Sequence, residues 1–132
     1  MNQKILVIDD DPINNMLCTY LIKKTIKNSE IYCFEQPLEG LEHLIAQYSG
    51  DYIPPPTLLF LDINMPEMDG WEFLDEFKKM ESLIHTKFKI YILSSSINPA
   101  DIEKAKTNIF VKGFLSKPLN ERILLEIMDN QK

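Results

Sequence analysis

The chain has 132 residues, 45% of them hydrophobic, and a formal net charge of -6. That length fits one domain with one core, and the acidic balance argues against nucleic acid or an anionic membrane as a direct partner, because both require a basic footprint. No run approaches the roughly 18 apolar residues of a membrane span, and the opening MNQKILVIDD reads as a strand running into acids, not as a signal peptide. Cys18 and Cys33 lie in separate apolar stretches without a paired-cysteine motif, so both are expected to be buried reduced thiols, as in a cytoplasmic protein.

The first element is Ile5-Leu6-Val7-Ile8, an apolar run without polar alternation that predicts a strand covered on both faces. It ends on Asp9, Asp10 and Asp11. Pro12 suits the first turn of a helix capped by Asp10 or Asp11, and Ile13, Met16, Leu17, Tyr20 and Leu21 recur at helical spacing to about Lys27. A strand at Ile31–Phe34 precedes a helix opened by Pro37 and carrying Leu38, Leu41, Leu44 and Ile45. Ser49-Gly50 and Pro54-Pro55-Pro56 mark a short loop to which no role is assigned. The buried strand Leu58–Leu61 again ends on an acid, Asp62, and the Pro66–Gly70 loop leads into a helix with Trp71, Phe73, Leu74 and Phe77. A strand at Ile90–Leu93 ends in Ser94-Ser95-Ser96, and a helix begins near Pro99. A last strand near Val111–Leu115 meets Lys117-Pro118, and a final helix runs from about Asn120 to Met128. Strand and helix alternating in this way predict an α/β fold with a doubly wound parallel sheet.

Ligand sites in such sheets lie beyond the carboxyl ends of the strands. Those ends carry Asp9, Asp10 and Asp11, then Asp62, Ser94 and Lys117. Gathered carboxylates either take up protons or share a cation, and oxygen-only ligands favour Mg²⁺. A carboxylate beside such a cation can attack phosphorus, while a lysine and a hydroxyl meet the phosphoryl oxygens. Taken singly, Asp10 or Asp11 reads equally well as a helix cap, the serines as a strand terminus, and Lys117 as a solvated loop residue. Asp62 does not, because a carboxylate directly after four apolar residues needs a partner.

The segments ILVIDDDP, LLFLDINMPEMDG, YILSS and GFLSKPL, in this order and at about these spacings, resemble the receiver domain of two-component response regulators, in particular chemotaxis-regulator-like single-domain members. The resemblance covers residues 1–132 as a single receiver (response regulatory) domain and implies a flavodoxin-like (βα)5 sheet of strand order 2-1-3-4-5. It implies a phosphoprotein whose phosphoacceptor is Asp62, with Asp10, Asp9, Asp62 and the Asn64 backbone carbonyl holding Mg²⁺ or Mn²⁺. Lys117 would pair with the phosphoryl group, a cis bond would precede Pro118, and Asn64 and Ser96 would tune dephosphorylation. Ser94 and Phe114 occupy the switch positions, Ser94 without threonine's methyl group and Phe114 without a hydroxyl.

The implied donor is a sensor histidine kinase or histidine phosphotransfer protein. Output is expected by contact with an unknown protein through the fourth helix, last strand and last helix, since only one helix follows Lys117. The expected chain is a monomer, with dimerisation on phosphorylation left open, and no enzyme beyond its own phosphorylation and dephosphorylation. An aspartyl-nucleophile phosphatase is the first rival, disfavoured because Asn64 stands where an acid-base aspartate would. A degenerate, phosphate-independent receiver is disfavoured by the presence of Asp62, Asp10 and Lys117. A flavodoxin is disfavoured by the acidic DDDPINN loop. His43 and His85 read as helix-face residues, and the methionines and Trp71 as packing.

Overall fold

Each uninterrupted apolar run is a strand of one parallel sheet in the computed structural model, which describes residues 3–48 and 55–130. The strands are β1 (Gln3–Ile8), β2 (Ser29–Phe34), β3 (Thr57–Leu61), β4 (Phe88–Ser94) and β5 (Val111–Ser116), in the order β2-β1-β3-β4-β5. The helices are α1 (Pro12–Thr25), α2 (Pro37–Gln47), α3 (Gly70–Lys78), α4 (Ser82–Lys87), α5 (Pro99–Thr107) and α6 (Glu121–Asp129). The expected sheet is therefore present. The short α4 was not expected; it buries no residue, so it leaves no apolar periodicity to read. The helix expected fourth is accordingly α5. Ser49, Gly50 and Pro54 of the expected loop lie outside the described residues.

Successive side chains of a strand point to opposite faces, and the core divides accordingly. Leu6, Ile8, Leu59, Leu61, Ile90 and Ile92 pack with Leu41 and Leu44 of α2 and Phe73, Leu74 and Phe77 of α3. Ile5, Val7, Leu58, Phe60 and Leu93 pack with Cys18 and Ile22 of α1 and Leu124 and Ile127 of α6. Each fully buried aliphatic side chain contributes roughly 1.5–3 kcal/mol, so the central strands hold their register firmly.

The helix ends follow local chemistry. Asp11 caps α1, accepting from the Ile13 amide with Pro12 in the first turn, which decides between the two candidate caps. Asp69 and Glu72 form a reciprocal capping box at α3. Asn98 and Asn120 cap α5 and α6.

The helical spacing of α1 is present, but its packing is not the one its apolar residues suggest, and one expected burial fails. Ile13, Met16, Leu17 and Tyr20 are exposed, and α1 instead buries Asn14, Asn15, Cys18 and Ile22. The start of α1 lies against the acids at the end of β1, where an amide packs better than an alkyl group. Cys33 is exposed, not buried, because β2 is an edge strand and α1 leaves that position open; both thiols are free.

Candidate functional site

Backbone pairing continues past the strands and aligns their ends. Asp9 N–H donates to Phe34 O, Asp62 N–H to Ile8 O at 2.9 Å, and Lys117 N–H to Ser94 O at 2.9 Å. Asp9, Asp62, Ser94 and Lys117 are thereby brought to one sheet edge. Asp9 and Asp62 flank the point where the chain reverses direction across the sheet, between β1 and β3.

Asp9, Asp10 and Asp62 each present a carboxylate oxygen, all within 4.8 Å of one another. Asp9 and Asp62 are buried and Asp10 is exposed. The Lys117 ammonium lies 2.6 Å from Asp9 Oδ2 and 3.6 Å from Asp62 Oδ1. Asp9 is further held by the Asp11 amide on Oδ1 at 2.9 Å and by Asn14 Nδ2 on Oδ2 at 2.8 Å. Asn15 Nδ2 donates to the Asp9 carbonyl at 2.9 Å. These two asparagines were not singled out in the sequence. Two polar residues at the first turn of a helix that follows three acids were the available signal.

Burial, then the Asp9 charge, pushes the Asp62 carboxyl up to about 6, against the pull of Lys117 and the Asn64 amide. Burial alone would lower the Lys117 ammonium, but Asp9 and Asp62 outweigh it and the net shift is upward. Three carboxylates facing one ammonium leave uncompensated negative charge, and the hard oxygen donors suit a divalent cation. The same cation would favour the ionised form of Asp62.

Ser94 is buried and its Oγ accepts from the Ser96 amide at 3.1 Å. Asn64 and Ser96 are exposed at the rim. Phe114 is half-buried and lines a cleft of about 390 Å³ with Ile102, Ala105 and Gly113, between α5 and β5. The Lys117–Pro118 bond is cis. Gly70 fits only because it lacks a side chain: a Cβ there would lie 2.7 Å from Asp62 O. His43 sits between the rings of Tyr32 and Phe34, and His85 between those of Phe77 and Phe110; neither joins the carboxylates.

The family model for the response regulator receiver domain matches residues 5–129. Response regulator Rcp1 of Synechocystis sp. is 27% identical over 124 residues, covering 94% of this chain and 82% of that protein. Histidine kinase CKI1 of Arabidopsis thaliana is 28% identical over 125 residues, but the chain spans only 11% of its length. The crystal structure of a two-component response regulator from Cytophaga hutchinsonii superposes with a TM-score of 0.86 at 32% identity, covering 98% of this chain and 96% of that one.

Proposed function

The chain belongs to the response regulator receiver family, and from that premise we propose that it is a signalling switch that accepts a phosphoryl group on Asp62. The observation that carries the reading is the meeting of the Asp9, Asp10 and Asp62 carboxylates within 4.8 Å, with Lys117 bridging two of them. A solvated cap or loop residue would not be drawn into such a cluster, and the self-repulsion of the acids has no structural benefit of its own.

An Asp62 carboxylate oxygen attacks the phosphorus of a phosphohistidine. The O–P bond forms, the P–N bond breaks, and its electron pair stays on the imidazole nitrogen. Asp9, Asp10, Asp62 and the Asn64 carbonyl are the groups that would hold Mg²⁺ or Mn²⁺, which supplies neutralising charge for the phosphoryl oxygens. Lys117, already 3.6 Å from Asp62, is placed to follow the new charge. Ser94 then donates to a phosphoryl oxygen, Phe114 moves inward, and the α5–β5–α6 face presents a changed surface to a protein target. Phosphorylation adds roughly -1.5 to -2 charge to drive this shift. Asn64 and Ser96, at the rim, set how readily water reaches the phosphoryl group.

The donor is a histidine kinase or histidine phosphotransfer protein. Residues 1–132 act as one receiver domain, cytoplasmic and without turnover of external substrates. Among the described residues no helix is long and apolar enough to cross a membrane.

Incubation with acetyl phosphate and Mg²⁺ is expected to add one phosphoryl group per chain, detected by intact mass. Asp62→Asn is expected to abolish it. Labelling that persists in Asp62→Asn, or that fails in wild type with Mg²⁺ present, would sink the reading.

A further inference from the structure

The two helices flanking the switch are held very differently. α3 buries Gly70, Phe73, Leu74 and Phe77, and its first residue abuts the backbone of Asp62. α5, which follows Ser94 through a four-residue loop, buries only Ala105. With so little fully buried surface of its own, α5 rests on its packing against β5 and on the polar ties it makes to its other neighbours.

One such tie crosses directly from α3. Trp71 Nε1–H donates to Asp101 Oδ1 at 3.1 Å, and the Lys104 ammonium lies 5.8 Å from the indole centroid. Beside this contact the helices stand apart, leaving a cleft of about 270 Å³ lined by Trp71, Asp75, Lys104, Thr107 and Asn108. A second tie is made by the switching hydroxyl itself, since Ser94 Oγ accepts from the Ser96 amide in the loop leading to α5. A turn of Ser94 toward a phosphoryl oxygen would rearrange this tie and, with it, the loop that leads to α5, so the start of the helix could shift only by working against the indole–carboxylate bond.

We propose that Trp71 is a positioning residue for the switch: its indole N–H, bound to Asp101, latches α5 in the resting arrangement and so sets how readily Asp62 takes up a phosphoryl group. The proposal rests on the phosphoacceptor reading and deepens it. Asp101 also stands in the first turn of α5, where an acid complements the helix dipole, but that role needs no indole. A ligand that binds the shifted arrangement gains affinity when the resting one loses its latch.

Beryllofluoride with Mg²⁺ serves as the phosphoryl probe, read by titration calorimetry. Trp71→Phe keeps the ring but removes the donor, and Asp101→Ala removes the acceptor from an exposed helix without touching the core. Each is expected to tighten beryllofluoride binding roughly three- to tenfold. The double variant should gain no more than either alone, because both remove one bond. Asp101→Asn keeps an accepting oxygen and should bind like wild type. In wild type, the single tryptophan should change its emission on adding the probe.

A purely structural role for Trp71 predicts weaker or unchanged binding instead. Wild-type binding with no gain in either Trp71→Phe or Asp101→Ala overturns the latch alone. Absence of binding by wild type overturns the phosphoacceptor reading and the latch with it.

Discussion

Asp9 accepts from Asp11, Asn14 and Lys117, so its carboxylate is oriented before any cation arrives. Asn14 is 8% exposed and its amide is one of the few neutral groups against the acid cluster. Replacing it by Ala removes a hydrogen bond to a charged group and should cost about 1–3 kcal/mol in urea unfolding without metal. Asn14→Asp is the sharper test. It places a further carboxylate among three that already repel, so the metal-free protein should lose more stability than Asn14→Ala does. The loss should then be partly recovered in millimolar Mg²⁺, because a cation that binds only the folded state stabilises it. An Asn14→Asp protein as stable as wild type without Mg²⁺ would mean that the carboxylates do not act as a cluster. Asn14 shows why part of the site escaped a reading of the sequence. Asp62 stands out because it follows four apolar residues, and Lys117 joins it only as one of several polar residues at strand ends, whereas an amide inside a helix is silent until its neighbour is known.

At the scale of elements, the legible features are those with a strong local cause. Residues 5–8 of β1 and 58–61 of β3 are buried on both faces, and these stretches are accordingly unbroken apolar runs. Proline and asparagine or aspartate mark the starts of α1 and α5, where they stand as first-turn residue and cap. The buried face of α1 was not legible, because its apolar residues point to solvent while its buried start packs on acids. The β3–α3 junction depends on a closer fit still. Gly70 N–H donates to Ile63 O at 2.8 Å, and any Cβ on Gly70 would meet the Asp62 carbonyl, which is backbone and cannot swing aside. Gly70→Ala should therefore destabilise by about 1–3 kcal/mol by overpacking, read from the urea midpoint. It should also slow labelling of Asp62 by acetyl phosphate, since the acceptor's own backbone must shift. Unchanged stability and labelling would mean that the junction has slack that the 2.7 Å approach excludes.

For the whole molecule, alternation of strand and helix was enough to read a doubly wound parallel sheet and the family resemblance implied its strand order, while the interplay of its charged groups required the packed structure. Two titrating groups make opposing contributions to stability on the acid side of neutrality. His43, between Tyr32 and Phe34, has its pKa lowered from 6.5 by burial and, second, by the Lys4 charge. A lowered folded value means that below about pH 6.5 the unfolded chain binds more protons at this position, so acidification favours unfolding. Asp62 behaves in reverse: its folded pKa is raised to about 6, so without metal it takes up a proton more readily when folded, and acidification favours the folded state. In wild type the two partly cancel. Asp62→Asn removes the carboxyl titration, so its stability should fall more steeply than that of wild type between pH 7.5 and 5.5. Adding His43→Gln should flatten the fall again, since Gln does not titrate. Urea midpoints measured across that range for the three proteins test both signs together. Parallel curves for all three would show that neither group is linked to folding, contrary to their burial against Lys4 and Asp9.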